Sequence, residues 1–144
     1  VTLPISEATL RRTRLWLPLF LTLLVACSEQ PPAYPQRQPP PGFLENAVNR
    51  AAGAEIFHQN CASCHGATGE RRSPRADFFH PPAPDFRDPR YRSLDPAYLY
   101  WRIETGKTVE PYLSRGSVMP AWGHYFSEEQ IWQLAAYLRS RSGG

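Results

Sequence analysis

The alternation of apolar and polar positions divides the chain into a short apolar block, a stretch without period, and a helical region. Leu15 to Ala26 is an unbroken apolar run apart from one threonine and one proline. Residues 28–42 show no hydrophobic period and carry six prolines. From Glu45 to Asn60 the apolar positions Val48, Ala51, Ala52, Ile56 and Phe57 recur near a period of 3.6, which predicts a helix. The period is lost over 71–92, where five prolines mark a long loop. Asp95-Pro96 then opens a second helix: Asp95 is a good cap, and proline suits the first helical position. Leu94 and Leu99 are spaced as a hydrophobic staple. Leu99 and Ile103 share a face, and Gly106 stops the helix. The last helix begins at Ser127-Glu128-Glu129-Gln130, a capping-box pattern. Its apolar stripe is Ile131, Leu134, Ala135 and Leu138, flanked by Trp132 and Tyr137. The pattern predicts an all-α domain with long connecting loops.

The N-terminal block changes the picture of the whole. Arg11, Arg12 and Arg14 precede the apolar run, the arrangement of an export signal. Twelve apolar residues fall short of the roughly 20 that cross a bilayer. Leu24-Val25-Ala26-Cys27 resembles the bacterial lipobox, in which the cysteine is acylated and becomes the mature N-terminus. An uncleaved anchor, or a cleaved signal with a free Cys27, are the alternatives, and either places the remainder outside the cytoplasm. The expected organisation is a signal over 1–27, a proline-rich tether over 28–42 and a globular domain over 43–144. A proline-rich tether rises about 3.1 Å per residue. Ser28 leans toward the outer membrane, and the choice between inner and outer membrane stays open.

Charge excludes one class. The formal charge is +3, and residues 1–27 carry +2 of it, so the mature domain is close to neutral. That is not the footprint of a nucleic-acid binder.

The chemistry lies in Cys61-Ala62-Ser63-Cys64-His65, the C-x-x-C-H form of c-type haem attachment. Two thiols two residues apart can each add to a haem vinyl group, and His65 then lies beneath the iron. One covalent haem c through Cys61 and Cys64 is the expected cofactor. Met119, the sole methionine, stands in Ser117-Val118-Met119-Pro120-Ala121-Trp122. A thioether is a soft ligand that raises the potential of a haem iron. His58, His80 and His124 are the other candidate ligands. His58 is too near Cys61 to reach the far side, and the other two read as surface residues.

These features together resemble class I c-type cytochromes over residues 44–140. Gly53 with Ile56 and Phe57, ahead of Cys61, is similar to the family's N-terminal helix. Leu134, Tyr137 and Leu138 are similar to the C-terminal helix that crosses it. The resemblance implies the cytochrome c fold, with those two helices crossing over a covalently bound haem. It implies His65 and Met119 as axial ligands, and a proline carbonyl, expected at Pro81 or Pro82, accepting from the imidazole. Arginines of the 71–92 loop are candidates for pairing haem propionates or an acidic partner, or for a plain solvated surface. The implied function is electron transfer, not catalysis, by a periplasmic domain lipid-anchored to a membrane through Cys27. Its partners would be redox proteins: a respiratory complex, an oxidase or a dehydrogenase. No small-molecule substrate and no nucleic acid are expected. The rival is a catalytic or gas-binding haem protein with a displaceable Met119.

Overall fold

A computed structural model describes residues 33–77, 79–108, 110 and 112–142. Among these residues five helices follow in order: α1 Ala47–Asn60, α2 Ala62–His65, α3 Arg90–Ser93, α4 Pro96–Thr105 and α5 Glu128–Arg141. One-turn 3-10 segments at Pro74–Ala76 and Leu113–Arg115 interrupt the loops. This is the all-helical cytochrome c architecture, with the N- and C-terminal helices in contact. No helix among the described residues is long and apolar enough to cross a membrane. Cys27 and the expected signal lie outside the described residues.

The helix limits follow from local chemistry. The Asn46 side chain accepts from the Val48 and Asn49 amides and starts α1. Asp95 accepts from the Ala97 amide at 2.9 Å, with Pro96 at the first helical position. Ser127 and Gln130 form a reciprocal capping box at α5, a device worth about 1 kcal/mol. All six apolar residues expected on α5 are buried.

The face of α1 differs from expectation. Val48 is 74% exposed, and Ala51 is exposed as well. The buried positions are Gly53 and Phe57, one helical repeat apart. Short and weakly apolar side chains blurred the stripe, and the missing side chain is what fixes it. A Cβ at Gly53 would stand 2.0 Å from the Gln133 carbonyl oxygen. The two helix backbones therefore touch directly, and Phe57 packs beside the contact against the Tyr137 ring, centroids 5.2 Å apart.

A second difference concerns the expected tether over 28–42. The compact unit begins at Tyr34, not at residue 43. The Tyr34 hydroxyl donates to Asp95 Oδ2 at 2.6 Å, and its ring stacks on Trp101 at 5.7 Å. Arg37 reaches Glu104 at 3.0 Å and lies over the Tyr100 ring. Phe43 and Leu44 then join the edge of the core. Proline directs this strap along α4 by fixing φ, and two aromatic or charged side chains hold it there. Composition alone reports the prolines and not the anchors between them.

Replacement of Gly53 by alanine tests the crossing. Alanine favours an isolated helix by about 1 kcal/mol, but here its methyl must displace backbone. Chemical denaturation of the haem-loaded protein is expected to show a loss of about 3 kcal/mol, at the upper range of overpacked cores. An unchanged or raised stability would contradict the close crossing.

Candidate functional site

The site begins where α1 ends. Cys61 caps the end of that helix, its amide bonded to the Phe57 carbonyl at 2.8 Å. The single turn α2 then carries Cys64 and His65, whose amides both return to the Cys61 carbonyl. Both cysteines are unpaired and half-buried. Burial, and then the neighbouring Cys64, push the Cys61 thiol up to about 12. Before attachment it is therefore a neutral thiol at physiological pH.

His65 is held from several sides. Its Nδ1 lies 3.4 Å from the Pro84 carbonyl oxygen. A proton on Nδ1 donated to that oxygen leaves the Nε2 lone pair for a metal. The expected acceptors Pro81 and Pro82 are not the ones that meet the ring. Three prolines stand close together, and only the path of the loop selects among them. Phe86 covers the imidazole with ring centroids 4.6 Å apart, and Phe57 stands 6.3 Å away. Burial is the main force lowering the His65 pKa to about 4; the Pro84 bond opposes it, while Arg141 and Lys107 add to it. The ring is thus neutral and ready to coordinate.

Arg141 was legible only as a charge near a helix end, and its role is larger. It is 8% exposed. Its guanidinium donates to the carbonyls of His65 at 3.4 Å, Gly66 at 3.0 Å, Ala67 at 2.7 Å and Glu70 at 2.9 Å. It also lies 4.9 Å over the Phe57 ring. One side chain therefore fixes the loop that leaves His65. A signal existed in the sequence: Arg141 stands seven residues after Leu134, on the buried stripe.

Met119 lies in the extended segment before Pro120 and is half-buried. Its carbonyl accepts from the Lys107 amide at 3.0 Å. Gly106, at φ 61°, allows this approach, since a Cβ there would lie 2.5 Å from the Met119 oxygen. Beyond Pro120 the Trp122 amide bonds to Ile103, and Trp122 stacks on Phe126. The segment is thus tied to the end of α4 at two points. His58, His80 and His124 are all exposed.

The arginine-rich loop is largely engaged with itself. Arg72 pairs with Asp77 at 2.7 Å, Arg90 with Asp88 at 3.2 Å, and Arg87 stands 3.8 Å from Asp85. Arg92 donates to the Ser142 carbonyl at 2.8 Å. Exposed pairs of this kind contribute about 0–1 kcal/mol each.

The chemistry of this donor set fits a covalent haem. The two cysteines stand at the start and near the end of one turn, a neutral imidazole follows, and its second nitrogen is already occupied by a backbone oxygen.

Comparison with known proteins agrees. Residues 48–138 match the family described as cytochrome C oxidase, cbb3-type, subunit III. The cbb3-type oxidase subunit FixP of Azorhizobium caulinodans is 32% identical over 92 residues, covering 64% of this chain and 27% of that protein. The corresponding CcoP of Rhodobacter capsulatus is 32% identical over 110 residues, covering 72% of this chain and 33% of that protein. Chloroplastic cytochrome c6 of Chlamydomonas reinhardtii is 31% identical over 97 residues, covering 65% and 55%. The chain thus spans a third or less of those two oxidase subunits and about half of the algal cytochrome. Its haem c is attached through Cys61 and Cys64, and the domain is an electron carrier. Matched over more than half its length around this haem-attachment turn, the chain belongs to the cbb3-type cytochrome c oxidase subunit III family of cytochrome c domains.

Proposed function

We propose that the protein is a periplasmic electron carrier, lipid-anchored through Cys27, whose iron is held between His65 and Met119. Its redox partners are respiratory proteins, an oxidase or a dehydrogenase complex. The observation that carries the reading is the pair of preset ligand segments: a neutral imidazole locked by Pro84 and Arg141, and a methionine segment locked by Gly106 and Lys107.

The haem, when bound, supplies a one-electron couple. The protein supplies position and burial. Burial keeps His65 unprotonated, and Pro84 keeps its ring from turning. The backbone ties at Met119 and Trp122 hold the thioether segment without using the thioether. With His65 and Met119 both holding the iron, no position would be left for a small molecule, and the reaction would be electron passage alone. Thioether ligation favours the ferrous state. Ser63, exposed between the two cysteines, marks the edge for a small transient interface. The relatives described as cbb3 oxidase subunits support respiratory partners.

The docked strap changes the reach of the anchor. Only residues 28–33 separate Cys27 from Tyr34, at most about 20 Å of extended chain.

Two measurements test this reading. The ferric protein is expected to show the weak far-red absorption band of iron–thioether bonding. Met119→Ala is expected to abolish it and shift the redox equilibrium toward ferric by at least tenfold, about 59 mV for one electron. A variant that keeps the band and the potential refutes Met119 as ligand. For the anchor, the intact mass of the exported protein is expected to place acyl chains on Cys27. A mature protein with an unmodified Cys27 refutes the lipid anchor while leaving the iron site untouched.

A further inference from the structure

Among the described residues two charged side chains are buried, Arg141 and Arg102, and they are satisfied very differently. Arg141 has four carbonyl partners. Arg102, 5% exposed, has one: its Nη1 donates to the Gly106 oxygen at 2.7 Å. Its Nε and Nη2 are buried without a hydrogen-bond partner. The guanidinium carbon lies 3.6 Å from the centre of the Trp101 ring and 4.4 Å from that of Tyr112. Aromatic faces attract a cation but do not accept its in-plane hydrogen bonds.

Lys107 stands at the same place. Its ammonium is 5.2 Å from the Tyr112 ring, and it is half-buried. The charges that act on it are Arg102 and Arg90, both positive, and burial also lowers its pKa. Arg90 already has Asp88. The titratable groups acting on Arg102 are the hydroxyls of Tyr112 and Tyr98, of which Tyr98 is held up at about 12, and so uncharged, by burial and by Tyr112. Two neighbouring cations in a poorly solvated place, without a carboxylate, cost several kcal/mol unless an anion joins them.

We propose that Arg102 and Lys107 are the seat of a haem propionate. The location agrees with this. Lys107 bonds through its amide to Met119, and its charge is felt at His65, so the pair stands beside the methionine segment and within electrostatic reach of the histidine. The haem is the one resident group of this domain that brings carboxylates into that space. A propionate oxygen there would accept from Arg102 Nη2 or Nε and from Lys107, and the tyrosine hydroxyls would complete the polar wall. Four of the six arginines of the 71–92 loop, the earlier candidates for this role, are held by Asp77, Asp85, Asp88 and Ser142, and the other two, Arg71 and Arg75, lie exposed.

The pairing acts on the iron through charge. An uncompensated carboxylate near the ring favours the ferric form, and a paired one favours it less. The test uses the haem-loaded protein with Arg102→Gln, Lys107→Gln and, as a control of equal charge change, Arg90→Gln. Potentials are read by spectroelectrochemistry and the propionate bending mode by resonance Raman. Lys107→Gln is expected to shift the redox equilibrium about tenfold toward ferric, 59 mV for one electron, and to move the propionate mode. Arg102→Gln is expected to do at least as much, and if that variant does not fold, Lys107→Gln alone decides. Arg90→Gln is expected to stay within twofold with the mode unchanged. Any other combination overturns the proposal: no shift, a shift without movement of the propionate mode, or an equal shift from Arg90→Gln.

Discussion

Direct contact between two helix backbones at Gly53 and Gln133 sets the frame on which the rest is hung. It brings α5 onto α1 with no side chain between them. Phe57 and Tyr137 then close beside the contact, and α1 delivers Cys61 at its end. The same α5, two turns past Gln133, delivers Arg141 to the loop behind His65. One close approach thus positions both the start of the haem-attachment turn and the clamp on its far side. Without it the two cysteines and the histidine would lie on a single turn, α2, too short to persist alone.

The polar groups follow a second logic. A buried guanidinium is costly unless its hydrogen bonds are made. Arg141 meets most of that requirement with four backbone oxygens, its Nε lacking a partner among the described residues, and in doing so stiffens the segment from His65 to Glu70. Pro84 does the corresponding work on the ring itself. At the other ligand segment the ties are backbone to backbone, through Gly106, Lys107 and Ile103. The two segments are held by different means, so each can be rigid without contact between them. Rigid ligand segments would limit the rearrangement that accompanies a change of one electron.

Much of this was legible in the sequence, for identifiable reasons. Caps and stripes are local, so α4 could be read to the residue from Asp95, Pro96 and Gly106, and the start of α5 from the Ser127–Gln130 box. The haem-attachment turn is a contiguous five-residue signal. What escaped were contacts that depend on the path of a loop. Pro84 was indistinguishable from Pro81 and Pro82, because 19 residues of irregular chain separate it from His65. Val48 was misplaced because α1 is apolar on no complete stripe. The strap from Tyr34 to Pro41 was read as tether because prolines dominate its composition, while its two anchors, Tyr34 and Arg37, bond to residues more than 60 positions away. The unpaired state of Arg102 is a fact of burial, and no periodicity reports it.

A closed iron site distinguishes an electron carrier from a haem protein that binds gases or turns over a substrate. The proposed ligation by His65 and Met119 would leave no position at the iron free. Exposure of the reduced protein to carbon monoxide near neutral pH probes that closure directly. The account predicts an absorption spectrum unchanged over minutes at saturating gas. Rapid and complete conversion to a carbon monoxide adduct would contradict it and favour the rival reading of a displaceable Met119.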